Sequence, residues 1–207
     1  MTRSLRLLAA FAGMLLMLVS AAAEAHLLIT GMGPIYDGAS HFALSPEDFL
    51  PVIAMAFFAG LRGPRHARLL SGTIPLAWLV GGGLALMTLA PPDITLSATT
   101  ALLFLLVGGL LAANPDLSAA ACTGLGALLG IVRGMADLAD VPAGPAHVLT
   151  FFGMGMTVFV TFAIAASVTL PLKRLWMVVV ARVCGSWLAA LGLLLAGWVL
   201  RYGAMVR

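Results

Sequence analysis

Residues 147–170 read HVLTFFGMGMTVFVTFAIAASVTL and contain no Asp, Glu, Lys or Arg. A helix needs about 20 consecutive apolar residues to cross the hydrocarbon core of a bilayer, so this segment is long enough to span one. Of the 207 residues in the chain, 62% are hydrophobic and 9% are charged. Soluble domains carry roughly a quarter charged residues. The sequence therefore predicts an all-α membrane protein.

Helix-breaking residues divide the apolar sequence into six predicted transmembrane helices. PPD at 91–93, NPD at 114–116 and PAGP at 142–145 are the clearest breaks. The predicted spans are approximately 46–61, 69–90, 94–113, 117–138, 147–170 and 175–200. Short connections favour antiparallel neighbours, so residues 26–207 are predicted to form one six-helix domain. Cys122 and Cys184 lie in apolar stretches without C-x-x-C spacing, which predicts two buried thiols rather than a disulfide or zinc site.

The first 25 residues have the features of a cleavable export signal. Arg3 and Arg6 precede a short apolar core at 7–19, and residues 23–25 read AEA, an A-x-A cleavage pattern. The alternative is a retained first transmembrane helix. Cleavage would make His26 the amino terminus, where its α-amine and imidazole form a pair of nitrogen donors for a metal. Otherwise His26 is an ordinary residue of a frayed end.

Basic residues predict the orientation in the membrane. Arg62, Arg65 and Arg68 follow the first span, and KR at 173–174 separates the fifth span from the sixth. By the positive-inside rule both loops are cytoplasmic, so the mature amino terminus is expected in the periplasm of a bacterial inner membrane. The groups then predicted on the outer side are the acids Asp37, Glu47, Asp48, Asp93, Asp137 and Asp140 and the imidazoles of His26, His41 and His147.

The Gly-rich segment at 26–45, predicted to be periplasmic, leads into candidate metal ligands. His41 stands six residues before Glu47 and seven before Asp48, and Asp37 precedes His41 by four. Carboxylates and neutral imidazoles with few competing cations attract and coordinate a divalent transition metal. A structural alternative exists for the two later acids. Ser45 suits an N-cap, and acids in the first helical turn interact favourably with the helix dipole.

The fourth predicted span combines close-packing glycines with ionisable residues. Its glycines recur at every fourth position, namely Gly126, Gly130 and Gly134, which predicts the close approach of another helix. Arg133 and Asp137 are spaced i, i+4, so they can pair on one helix face, and Asp140 follows. The pair is either a self-satisfied ion pair or part of a functional site. Because its charge repels a metal ion, Arg133 is predicted to be a partner or gate rather than a ligand.

The stretch GMGPIYDGASHFALSPEDFLPVIAMA at 31–56 resembles the amino-terminal motif of the HupE/UreJ family. These membrane proteins are associated with nickel hydrogenases and ureases and are regarded as nickel or cobalt permeases. The signal peptide, the six spans and the Gly-rich fourth span are similar as well. The resemblance implies a permease with nickel or cobalt as substrate.

The family's ligand positions are only partly kept. The family pattern has a His and, after five residues, an Asp-His pair. His41 matches the first His, and Glu47 and Asp48 fall at the pair, while a one-residue insertion would instead align Asp48 and Phe49 with it. In RGMADLAD at 133–140, Arg133 and Asp137 stand at two histidines of the family's fourth-helix motif, and Asp140 stands at its acid. The implied ligand set shifts towards oxygen, which weakens the case for nickel in particular and leaves open a loss of transport.

The sequence thus predicts an inner-membrane permease for a divalent transition metal, nickel or cobalt by resemblance. The predicted outer capture site consists of His41, Glu47 and Asp48, with Asp37 as a helper. Asp137 and Asp140 are predicted to line the entry or a second site, and His26 is a further candidate ligand. The alternative is a non-transporting accessory or assembly protein that binds a metalloenzyme. No catalytic motif indicates an enzyme, and neither a tightly bound cofactor nor a nucleic-acid partner is expected. The expected partners are the lipid bilayer and the metal ion, and the oligomeric state stays open, a homo-oligomer included.

Overall fold

The computed structural model describes residues 30–87, 93–140, 146–171 and 175–202, of which the side chains at 93–96, 139–140 and 202 are not described. Within these ranges the regular structure is entirely α-helical, with seven helices and no strand. The helices are α1 (Pro34–Leu44), α2 (Pro46–Arg62), α3 (Pro64–Ala85), α4 (Asp93–Ala113), α5 (Ala119–Asp140), α6 (His147–Thr169) and α7 (Leu175–Tyr202). The predicted export signal and His26 lie outside the described residues.

Each of the six predicted spans corresponds to one helix, from α2 to α7. Within the described ranges, three helical segments are long and apolar enough to cross a membrane, namely Ala119–Leu138, His147–Thr169 and Leu175–Arg201. The bent pair α1–α2 makes a fourth if it counts as one broken span, and Ser97–Ala113 is a shorter apolar helix. These apolar helices indicate a membrane protein, whereas six complete spans remain a prediction.

Helix α1 is not among the predicted helices. This helix meets α2 at Ser45 at an angle of 75° and packs against α6. A Cβ atom built on Gly38 would lie 1.9 Å from the carbonyl oxygen of Thr150, and one built on Gly153 would lie 2.3 Å from that of Ile35. The two backbones are therefore in direct contact, and the Gly-rich segment folds back onto the bundle.

The glycine stripe of α5 packs against α3, which confirms the predicted close approach. A Cβ atom on Gly134 would lie 2.0 Å from the carbonyl oxygen of Trp78, and one on Gly130 would lie 2.5 Å from that of Ile74. Trp78 itself is fully buried. No gap separates the two helices here, so their contact holds in place the part of α5 that carries Arg133 and Asp137.

The two ends of the bundle differ in charge. We call the end that holds Asp48 and Asp137 the acidic end, and the opposite end, where Arg62 terminates α2, the basic end. At the basic end Arg62 forms an ion pair with Asp116 at 2.8 Å and donates to the carbonyl oxygen of Asn114 at 2.5 Å. Arg62 and Asp116 therefore lie at the same end, as the predicted topology requires.

One prediction about the cysteines is wrong. Both thiols are free, as expected, and Cys122 is buried. Cys184, however, is exposed on α7, where it lines an open apolar groove together with residues of α2 and α4 such as Phe57 and Leu111. An apolar stretch in a membrane protein does not distinguish a residue packed inside the bundle from one that faces lipid.

Candidate functional site

A buried arginine joins three helices at the acidic end. Nε of Arg133 on α5 donates to Oδ1 of Asp48 on α2 at 2.5 Å, and Nη2 contacts the same oxygen. Nη2 also lies 3.2 Å from Oδ1 of Asp137, one turn further along α5. Nη1 donates to Oγ1 of Thr100 on α4 at 3.2 Å. Three side-chain oxygens from three helices thus surround one guanidinium, and we call these four residues the Arg133 site.

The Arg133 site is almost completely shielded from solvent. Asp48 and Asp137 are each 1% exposed, and Arg133 is 5% exposed. Taking charges out of water is costly unless they are paired and hydrogen-bonded. With both carboxylates ionised, however, the single guanidinium leaves one negative charge in excess. Oδ2 of Asp48 is also buried and has no hydrogen-bond partner among the described residues. One added proton or cation would balance the excess charge.

The bend between α1 and α2 explains how Asp48 reaches the interior. α2 begins at Pro46, directly after Ser45, as the capping alternative expects. The Ser45 side chain makes no capping hydrogen bond, and Asp48 points to Arg133 rather than to the helix end. Before the bend, the fully buried ring of Phe42 packs edge-on against Trp78, with ring centroids 5.8 Å apart. This contact anchors the end of α1 beside α3.

The contacts of Arg133 described above involve none of the other predicted ligands, although Glu47 lies near enough to interact electrostatically with Asp48 and Arg133. His41 and Glu47 are half-buried. Oδ1 of Asp37 accepts hydrogen bonds from the backbone nitrogen and the hydroxyl of Thr30, both at 2.6 Å, so it holds the chain ahead of α1. Across the described ranges, no three His, Cys, Asp or Glu side chains are grouped so as to hold a metal ion. His41, Glu47 and Asp48 thus do not form a three-ligand cluster in this structure.

Two predicted ligands lie outside the description. The side chain of Asp140 at the end of α5 and the whole of His26 fall among the residues that are not described. Their proposed roles as metal ligands stay predictions. His147, which was grouped with the outer imidazoles, is half-buried and lies 3.4 Å through Nε2 from the carbonyl oxygen of Leu138, at the connection between α5 and α6.

The Arg133–Asp137 contact of the Arg133 site is predictable from the sequence, whereas the contact of Arg133 with Asp48 is not. The Arg133–Asp137 pair follows from i, i+4 spacing and is confirmed. The bond to Asp48 spans 85 positions, and no local spacing reveals it. One signal was present, because a buried guanidinium has five N–H donors to satisfy, more than one carboxylate can accept with good geometry. Nothing in the sequence singles out Thr100.

The geometry brings together three positions from the two segments compared with the family motifs, and at each of them this chain has another residue than the family's histidine. Asp48 belongs to the amino-terminal motif, while Arg133 and Asp137 belong to the motif in the fourth predicted span, and all three meet at one site. A family model described as "HupE / UreJ protein" matches residues 14–195. No curated protein and no solved structure matches the chain. The family match covers most of the sequence, and the chain belongs to the HupE/UreJ family.

Proposed function

We propose that the protein is a membrane permease for a divalent transition metal, with nickel or cobalt as substrate by family membership. One observation carries the proposal: Asp48 and Asp137, from different helices, are buried together with a single guanidinium between them. Two ionised carboxylates carry the charge that one divalent cation neutralises, and charges in an apolar bundle are poorly screened. The oxygen ligands suit a divalent ion, although they do not select nickel over other metals.

The two buried carboxylates form the proposed second binding site on the ion path, after the capture ligands. Asp48 lies in the first turn of α2 and Asp137 lies in the last turn of α5, so both are close to the acidic end. That end is periplasmic in the proposed orientation. His41 and Glu47 are half-buried and precede Asp48 closely in the sequence, and they are the proposed capture ligands. The proposed additional ligands are Asp37, Asp140 and His26. Exchange between weak sites lets an ion both arrive and leave.

Metal uptake into proteoliposomes tests this function. The full-length chain should carry radioactive nickel or cobalt inward, and Asp48→Asn should lose most of this flux. Asp116→Asn is the matched control, because this carboxylate also binds an arginine but lies at the basic end with its side chain 99% exposed. Equal rates for the wild type and Asp48→Asn would show that the Arg133 site is not on the ion path.

A second function is favoured by a specific feature, the guanidinium between the two carboxylates. A cation fixed at this position repels a metal ion, which fits a non-transporting accessory protein for a metalloenzyme. This alternative expects no metal flux in proteoliposomes that contain correctly folded protein. It also expects a metalloenzyme subunit to co-purify in a stoichiometric complex from the native membrane. Flux without such a complex would exclude it.

A further inference from the structure

We propose that Arg133 is a resident counter-ion, and that its guanidinium and a divalent metal ion are alternative occupants of one cation site. The ligands of this site are Asp48, Asp137 and Thr100. The inference rests on the proposed function, which supplies the substrate class, and it identifies Arg133 as the residue that controls access of metal to the site. In this scheme Arg133 keeps the site closed to metal until its side chain is displaced.

The ligand geometry supports a true cation site. Side-chain oxygen atoms from α2, α4 and α5 contact the guanidinium, and both carboxylates contact the same nitrogen, Nη2. A self-contained ion pair needs only one carboxylate. Here a second carboxylate and a hydroxyl converge on the same cation, and Oδ2 of Asp48 remains buried without a hydrogen-bond partner among the described residues. That oxygen is available to an additional ligand.

The charges match the two occupants. With Arg133 in place, the ionised site carries one excess negative charge. When the guanidinium leaves, Asp48 and Asp137 carry two negative charges, which one divalent cation neutralises. Simultaneous occupation is opposed by Coulomb repulsion between the metal ion and the guanidinium, which is only weakly screened at a buried position.

The proposal assigns the displacement to the side chain, because close packing prevents α5 from moving towards α3. Gly134, the next residue, places the backbone of α5 directly against Trp78 on α3. A shift of α5 towards α3 would therefore cause a backbone clash. The long, flexible side chain of Arg133 can instead move towards the nearby end of α5. The site thus has a fixed frame and one movable cation.

Removing the guanidinium provides the test. Purified full-length Arg133→Ala in detergent should bind Ni²⁺ with a Kd at least about tenfold lower than the wild type, because a repelling charge is gone. Nickel at about 100 times this Kd should raise the Tm by about 5 °C or more. Millimolar guanidinium ion should compete with the nickel and should itself raise the Tm. Adding Asp48→Asn to Arg133→Ala should abolish both effects.

The control is Arg62→Ala at the basic end, which also removes a guanidinium from a carboxylate and should gain no nickel affinity. Unchanged nickel binding in Arg133→Ala, or binding that guanidinium does not compete with, overturns the proposal. Arg133→Ala can fail to fold because it leaves two carboxylates face to face. In that case, recovery of monodisperse protein by purification in Ni²⁺ or guanidinium supports the proposal, and no recovery by either overturns it.

These outcomes are separate from those of the uptake experiment. Competition between nickel and guanidinium in Arg133→Ala, together with no metal flux in the wild type, would support Arg133 as a resident counter-ion and overturn the permease function. Metal flux in the wild type without such competition would support the permease function and overturn the counter-ion proposal.

Discussion

Nε of Arg133 lies 2.5 Å from Oδ1 of Asp48, although 85 positions separate the two residues in the sequence. The contact joins α5 to the first turn of α2, and Asp137 and Thr100 complete the surroundings of the guanidinium. It also joins the two segments that were compared with the family motifs, 31–56 and 133–140.

The charges of the Arg133 site should be strongly coupled in folding. Arg133→Ala leaves two buried carboxylates without their cation and should destabilise the protein by about 3–5 kcal/mol. Adding Asp48→Asn should recover part of this loss, since only one of the carboxylates then stays charged. Thermal unfolding of both variants in detergent with a chelator measures the difference. A double variant less stable than Arg133→Ala would contradict the charge argument.

The close packing of α5 on α3 should make Gly134 intolerant of a side chain. In Gly134→Ala the new Cβ atom would lie 2.0 Å from the carbonyl oxygen of Trp78, so the helices must separate, at a cost of about 1–3 kcal/mol or more. Gly124→Ala is the control on the same helix, because nothing lies within 4 Å of its Cβ position. It should be neutral or slightly stabilising. Equal Tm values for the two variants would disprove the close contact.

The helix α1 should depend on Gly38 for its position. In Gly38→Val a side chain would meet the carbonyl oxygen of Thr150, so α1 should detach from α6. Limited proteolysis should then cut within α1 faster than in the wild type. Gly72→Val on α3, where a Cβ atom meets nothing within 4 Å, should leave the cleavage rate unchanged. Protection of α1 in Gly38→Val would show that this contact is dispensable.

His41 and Asp48 should affect metal uptake in different ways. His41 is half-buried and does not belong to the Arg133 site, so His41→Ala should raise the metal concentration needed for half-maximal uptake while keeping the maximal rate. Asp48→Asn should lower the maximal rate. His66→Ala provides the control, because His66 lies near the basic end, 3.3 Å from the carbonyl oxygen of Leu117. A lower maximal rate in His41→Ala would instead place this imidazole at the binding site formed by the buried carboxylates.

The orientation can be read by labelling the basic end. A single cysteine introduced as Asp116→Cys, with Cys122→Ser and Cys184→Ser, should react with a membrane-impermeant thiol reagent only from the cytoplasmic side. The Asp116 side chain is 99% exposed, so the reagent can reach this position. Labelling of intact cells from outside, before permeabilisation, would invert the topology inferred from Arg62, Arg65 and Arg68.

Local sequence features were enough to predict a helical membrane protein, the approximate bounds of α2 to α7, the glycine contact of α5 and the Arg133–Asp137 pair. These features are local, because they depend on apolar segment length, helix breakers and spacings of three or four residues along one helix. The helix α1 escaped prediction because the glycines and proline of this segment indicated turns, whereas Gly38, the glycine within α1, contacts α6.

Which residues meet between helices could not be predicted in the same way. The sequence grouped Asp48 with His41 because they are neighbours, but the bend at Ser45 and the packing of α5 on α3 direct Asp48 to Arg133. Thr100 joins the site through the position of α4 alone. The physical reason is that the helix period determines which residues share a face, whereas crossing points depend on the shapes of all packed surfaces together.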